Sequence, residues 1–476
     1  MNLNSWIGDC SGFRHSNFGF KYHAKTENGL IESMSKRELR KVIPEALVIG
    51  AGIAGMQTAL DIAEKGFKVH LVEKDSSIGG HMAQLDKTFP TLDCSACIIT
   101  PKMADTASHP NIRLLTCSEV VGVEGSVGNF RIEVKRRPTY VLSDRCTGCG
   151  DCMEACVLKK GVPSEFNEGL AMRRAIYIPF PQAVPLKAAI DPKSCLLLSR
   201  GKCKKACVEA CKAGAISFEQ KEETVEMNVG AIIVATGFDL FDPKRKPEFG
   251  YKLYPNVIHG LELERLCSAS GPTKGEILIE GKKPKEVIFI HCVGSRDKTV
   301  DNQYCSRVCC MFTAKQAHLL RDKLPDARIT VFYMDVRAFG KGFEEFYERV
   351  QKEHIIYRRG NPSEVFRKNG KLVVRGEDTL LGEPFELDAD LVVLASGLVP
   401  RREEGVLKNM LGLENSSDGF YAEAPGLDPI ITRREGIFLA GCCQGPKDIP
   451  DTVAQASGAA SLACAILARG KRSMEE

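Results

Sequence analysis

The stretch Gly50-Ala-Gly52-Ile-Ala-Gly55 constrains this chain more than any other, because of what flanks it. The apolar run Ala46-Leu-Val-Ile-Gly50 before it reads as a strand, residues 55–65 carry helical spacing, and Lys68-Val-His-Leu-Val-Glu73 reads as the next strand. In the beta-alpha-beta unit that results, Gly50 permits a tight turn, Gly52 lets backbone approach a diphosphate, and Gly55 lets the helix lie close on the strand. Glu73 ends the second strand 18 residues after Gly55, where a carboxylate can accept ribose hydroxyls. A glycine-rich turn that binds nothing is the bland alternative. Further apolar strands at 231–236, 287–291, 329–333, 391–395 and 437–440 predict an α/β fold with parallel sheets.

Three later pieces bear on which dinucleotide is held. Glu73-Lys74-Asp-Ser-Ser-Ile-Gly79-Gly80 resembles the stretch of two-dinucleotide-domain flavoproteins in which a glycine pair lies along FAD. Val234-Ala235-Thr236-Gly237 is similar to the strand end that returns the chain to the flavin domain, and Gly436-Ile-Phe-Leu-Ala-Gly441 resembles the carboxyl-terminal flavin strand. Together they imply FAD, with Lys74, Gly79, Gly80, Ala235, Thr236, Gly237 and Gly441 beside it. Many relatives place an acid after that last glycine, whereas this chain has Cys442. In the second half, the strand at 287–291 runs into Cys292-Val-Gly294-Ser-Arg296 instead of a second glycine-rich cradle. A dinucleotide-type domain without nicotinamide is expected there, with a variant nicotinamide loop as the alternative.

The chain holds 20 cysteines in 476 residues, far too long a chain to need disulfide staples, and no apolar leader follows Met1, so a cytoplasmic protein with reduced thiols is expected. Metal or redox chemistry is the leading reading of those thiols. Cys146-x2-Cys149-x2-Cys152-x3-Cys156 is the spacing by which three thiolates face one iron-sulfur cube while the fourth reaches a second. Cys195, Cys203, Cys207 and Cys211 form a wider second set. Ferredoxin pairing assigns Cys146, Cys149, Cys152 and Cys211 to one cluster and Cys195, Cys203, Cys207 and Cys156 to the other, and two all-thiolate zinc sites are the alternative. Residues 144–217 break the α/β rhythm and read as an insertion. Cys292, Cys305, Cys309 and Cys310 form a third group, explained by shared ligation of one cluster or, more blandly, by buried thiols. Cys94-Ser-Ala-Cys97 is open to three readings: redox dithiol, cluster fragment or packing.

A net charge of +4 leaves no nucleic-acid footprint, and the longest uncharged stretch, Thr452 to Ala468, is short and broken by Gln455, Ser457, Gly458 and Ser461, so no membrane span is expected. The organisation expected is an arm at 1–43, the first part of an FAD-binding domain at 44–142 and an inserted ferredoxin domain at 143–218. The FAD-binding domain returns at 219–285, a second dinucleotide-type domain follows at 286–400, and the carboxyl-terminal part of the FAD-binding domain closes the chain at 401–476.

From about Pro44 to Ala468 the sequence resembles the A-type subunits of heterodisulfide reductase, an iron-sulfur flavoprotein family of methanogens and anaerobic bacteria. Leu92-Asp-Cys94-Ser-Ala-Cys97-Ile-Ile-Thr-Pro-Lys102, Tyr304-Cys-Ser-Arg-Val-Cys-Cys-Met311 and Pro446-Lys-Asp-Ile-Pro-Asp-Thr452 carry the likeness. The resemblance implies a thioredoxin-reductase-like, two-dinucleotide-domain α/β flavoprotein with an inserted two-cluster ferredoxin domain. It implies FAD, three 4Fe-4S clusters, ligation of the third by Cys292, Cys305, Cys309 and Cys310 near the flavin, and a catalytic Lys315 near the flavin ring. Its expected partners are the B-type and C-type subunits and an electron-donating hydrogenase or dehydrogenase, within a complex containing a homodimer of this chain. On the resemblance this chain is a short form without terminal cluster domains. Flavin-based bifurcation follows as an implication of the family. The rival readings are an NAD(P)H-dependent disulfide reductase using Cys94 and Cys97, and a scaffold whose clusters only stabilise docking surfaces.

Overall fold

A computed structural model describes residues 42–426 and 428–475; nearly all of the arm expected at 1–43, with Trp6 and Cys10, lies outside them. The first nucleotide-type unit begins with β1 (Glu45–Ile49), α1 (Ile53–Glu64), β2 (Lys68–Val72), α2 (Ser95–Ser108) and β3 (Ile112–Leu115), and regains the sheet at β4 (Ala231–Val234). The second unit contains β5 (Val257–His259), α3 (Gly260–Cys267), β6 (Glu286–Val293), α4 (Cys309–Lys323), β7 (Arg328–Tyr333), β8 (Ile356–Arg359) and β9 (Leu391–Ser396). The chain then returns to the first sheet through β10 (Ile437–Leu439) and α5 (Ile449–Glu475). The two sheets run β10-β4-β1-β2-β3 and β5-β9-β6-β7-β8, and every pairing in them is parallel.

The near-continuous apolar strands are what a parallel sheet covered on both faces requires. Ala46 and Val48 of β1 pack with Met56 and Ala59 of α1 and Ala459 and Ala463 of α5. The alternating Leu47 and Ile49 face the other way, onto Phe130, Ile132 and Met227 of an antiparallel sheet formed by Ser118–Ser126, Asn129–Arg136 and Glu223–Val229. Gly55 is required sterically, since a Cβ on it would stand 1.8 Å from the Gly50 carbonyl oxygen. Gly50 itself has φ +98°, the left-handed range that disfavours side chains.

The second unit starts earlier than the boundary at 286 read from sequence, because Val257–His259 already pairs with β9. Three residues are too few to carry a periodic signal. Among the described residues one helix, over Ile449–Gly470, is long and apolar enough to cross a membrane by length and composition. Its apolarity has a use within the fold, for Ala456, Ala459, Ala460, Ala463 and Leu467 belong to the core beneath α1. The insertion leaves and rejoins the first unit at one place, where Val141 bridges Ile216 and the Leu142 N–H donates to the Ala215 carbonyl at 2.7 Å.

Candidate functional site

A cavity of about 980 Å³ opens at the carboxyl ends of the first sheet's strands, the position at which open α/β sheets bind ligands. Of the residues read from sequence as cofactor-binding, Gly50, Gly52, Glu73, Lys74, Gly80, Ala235, Thr236 and Gly237 line it, as does Lys315. The positions where Gly52 and Gly237 would carry a Cβ are open, with no atom within 4 Å. Gly52 is the N-cap of α1, whose first turn holds no acid, so no carboxylate of that turn offsets the positive end of this helix beside the cavity. Gly55, Gly79 and Gly441 stand behind the wall. Gly79 packs on Met103 and Ala83, and a Cβ on Gly441 would lie 2.8 Å from that of Ala54. Cys442, the residue in place of the usual acid, forms the wall instead.

Glu73 is buried, and its carboxylate accepts the N–H groups of Ala51 at 2.7 Å and Asp75 at 3.0 Å. These bonds fix it on the cavity edge, while burial, and then the charge of Asp75, push its pKa up. The chemistry of the cradle fits FAD: open glycines for a diphosphate, a carboxylate beside them, and a long apolar trough for a ring system. At the far end Lys315 is 1% exposed, pairs with Glu264 at 2.7 Å and donates to the Lys87 carbonyl at 2.8 Å. Gln316 holds the same Glu264 oxygen at 2.6 Å, so the ammonium is pinned beside the cavity on α4. Lys74 instead meets Glu403 at 3.0 Å, near the surface.

The second unit repeats the geometry and fills it differently. After β6, the position of a Cβ on Gly294 is occupied by the Phe241 ring, 2.0 Å away, so no phosphate can approach backbone there. The helix end where a phosphate would sit, the first turn of α4, carries Cys309 and Cys310 instead. Both are buried, and Cys292, Cys305 and Cys310 all lie within electrostatic reach of Cys309. Burial, then the charge of Cys310, pushes Cys292 up to about 12. Cys292, Arg296 and Arg307 adopt left-handed backbone angles of 58°, 58° and 61°, the clustering of unfavourable conformations that marks functional loops. Val308 and Phe312, which flank the thiol pair, line the dinucleotide cavity.

Within the insertion the thiols gather in the crossed sets that ferredoxin pairing assigns. Burial raises Cys152 to about 11, and Cys146, Cys211 and Cys149 add to the shift. Cys207 is likewise raised to about 11, chiefly by burial and then by Cys156, Cys203 and Cys195. Cys156, Cys195, Cys203 and Cys207 also surround a small void of their own. The donor sets contain no His, Asp or Glu, which suits iron-sulfur clusters.

Cys94 and Cys97 are disulfide-bonded, and both are exposed at the amino end of α2, which removes the packing reading. Sequence reasoning missed much of the cavity. Ser164, Phe166, Arg173, Tyr177 and Phe180 come from the insertion, and His81 and Gln84 from the loop after Gly80. Only the adjacency of His81 to the glycine pair offered a signal.

The family model for an NAD(P)-binding Rossmann-like domain matches residues 48–108. The A-type subunit of the H(2):CoB-CoM heterodisulfide,ferredoxin reductase of Methanothermobacter thermautotrophicus is 53% identical over 436 residues, covering 90% of this chain. The chain spans 65% of that relative's length. The second A-type iron-sulfur subunit of the CoB--CoM heterodisulfide reductase of Methanopyrus kandleri is 53% identical over 452 residues, 94% of this chain and 68% of the relative. The solved thioredoxin reductase of T. acidophilum is 14% identical, with a TM-score of 0.49 over 89% of this chain and 98% of its own.

Proposed function

Because this chain belongs to the family of A-type heterodisulfide reductase subunits, we propose that it is an oxidoreductase subunit that passes electrons between FAD and three 4Fe-4S clusters. One observation carries the reading: a single cavity is walled by the dinucleotide motif, by the insertion with its eight cysteines, and by the residues flanking Cys309 and Cys310. FAD held there would supply exchange between electron pairs and single electrons. Gly52 and the α1 amino terminus hold the diphosphate, Glu73 takes the ribose hydroxyls, and Lys315, positioned by Glu264, faces the ring end. Cys292, Cys305, Cys309 and Cys310 hold the cluster nearest the cavity, and the two crossed thiol sets hold the relay in the insertion.

The relatives' names support the partner reading, since both speak of a reductase of the CoB-CoM heterodisulfide and one of them also of ferredoxin and hydrogen. Disulfide reduction on B-type and C-type subunits, electrons from a hydrogenase or dehydrogenase, a homodimer of this chain and bifurcation at the flavin belong to the same proposal. The rival NAD(P)H disulfide reductase finds an exposed disulfide at Cys94–Cys97 but, with Phe241 against Gly294, no nicotinamide cradle. Anaerobically prepared protein should contain one FAD and about twelve irons with matching acid-labile sulfide. Stoichiometric zinc with little sulfide rejects the clusters, and rapid flavin bleaching on mixing with NADPH favours the rival.

A further inference from the structure

The insertion is a wall of the dinucleotide cavity as well as a carrier of thiols. Phe166 and Phe180 line the cavity as a stacked pair, with centroids 4.3 Å apart and planes 17° from parallel. This wall is seated on both nucleotide-type units. The Ile78 N–H donates to the Val184 carbonyl at 2.9 Å, and the Val184 N–H to Ser77 Oγ at 2.9 Å. Gln84 Nε2 donates to the Phe166 carbonyl at 3.1 Å and to Glu168 at 2.8 Å. From α3, Arg265 donates to Asn167 at 3.1 Å and to the Gln84 carbonyl at 3.0 Å, and its guanidinium lies 4.7 Å over the Phe166 ring.

The insertion's own core is small and draws on its cysteines. The insertion's strands are two residues long and its helices four or five. Its buried core includes Cys152, Cys156 and Cys195, and Cys146, Cys207 and Cys211 pack around it. Units this small rarely fold without a staple or a metal. The route from thiols to wall is short, since Met153 follows Cys152 and its Sδ accepts the Ile178 N–H at 3.2 Å, two residues before Phe180.

We propose that cluster loading of the insertion closes the FAD site, so that cluster binding and FAD binding are thermodynamically coupled; this rests on the cofactors proposed above. Coupling of this kind is reciprocal, each ligand tightening the other by the same factor. The test titrates FAD into flavin-stripped, anaerobic full-length protein, following flavin fluorescence. Cys203→Ser with Cys207→Ser, which removes ligands lying outside the cavity wall, should weaken FAD binding by about tenfold or more. Phe166→Ala should do so with iron content unchanged. In the reverse direction, flavin-free parent protein should lose the insertion's iron to a chelator faster than FAD-loaded protein. FAD binding within about twofold of the parent in Cys203→Ser with Cys207→Ser overturns the inference, whatever Phe166→Ala does. A parent that binds no FAD overturns the reading of the site itself.

Discussion

Gly52→Ala and Gly55→Ala, three residues apart, should fail in opposite ways. At Gly52, φ −73° and ψ −171° suit any residue, and a new Cβ meets no atom within 4 Å. Alanine is a poorer N-cap than glycine, but it loses less chain entropy on folding, and the two effects are each below about 1 kcal/mol. The fold should not notice the change. The added methyl, however, stands where the diphosphate must approach the α1 amides, and an overpacked contact of that kind costs about 1–3 kcal/mol, or roughly 5- to 150-fold in FAD dissociation constant. At Gly55 the new Cβ would lie 1.8 Å from the Gly50 oxygen and 2.9 Å from its carbon, both backbone atoms that cannot swing aside. The helix must retreat by more than an ångström, so at least about 1–3 kcal/mol is lost before any ligand binds. Thermal unfolding of flavin-free protein and FAD titration separate the two. Equal destabilisation by both variants, or parent-like FAD affinity in Gly52→Ala, refutes the cradle.

Cys309→Ser with Cys310→Ser should lower iron by about four atoms while the insertion keeps its own; an unchanged count leaves them as buried thiols. Lys315→Met takes the cation from the buried Glu264 carboxylate and should cost about 3–5 kcal/mol in chemical denaturation, whereas adding Glu264→Leu should restore part of it, Gln316 and the Asp86 N–H then losing their acceptor. Failure of the second change to rescue would deny the pair its mutual dependence. Burial holds His81 below its ordinary pKa of 6.5, so the folded chain takes up that proton less readily than the unfolded one. The resulting stability is complete above pH 6.5 and is lost as pH falls from there through the lowered value, so the flavin-free parent should lose ground to His81→Gln as pH falls below 6.5. A pH-independent difference between the two proteins contradicts this.

The first nucleotide unit was legible because its constraints are local: Gly50, Gly52 and Gly55 act within one turn, and β1 and β2 are continuous apolar runs. The thiol sets were legible for the same reason, as spacing alone limits which cysteines a tight loop can bring to one cube. The cavity's other half was not. Phe166 and Phe180 read as ordinary apolar residues of an insertion, and only their stacking on each other at the cavity makes them a wall. Val257–His259 is too short to show alternation, and the Phe241 ring that covers Gly294 lies 53 positions earlier in the chain. The resemblance placed Lys315 beside the cavity, but its partner Glu264 is 51 positions away and no local pattern links them.

Arg265 has a consequence for speed. Electron tunnelling slows exponentially with separation, so a relay mounted on parts that sway would stutter with every thermal excursion. Arg265 is 1% exposed and holds the loop after Gly80, the insertion and the second unit together at one point. Swinging any one of them away would strand a guanidinium in a dry interior, a penalty large enough to keep the excursion rare. On the proposed reading, electrons passing between the cavity and the insertion would cross a gap whose length Arg265 helps to fix. Control of the current would then fall to driving force, through the potentials of the clusters and of whatever partner accepts the electrons.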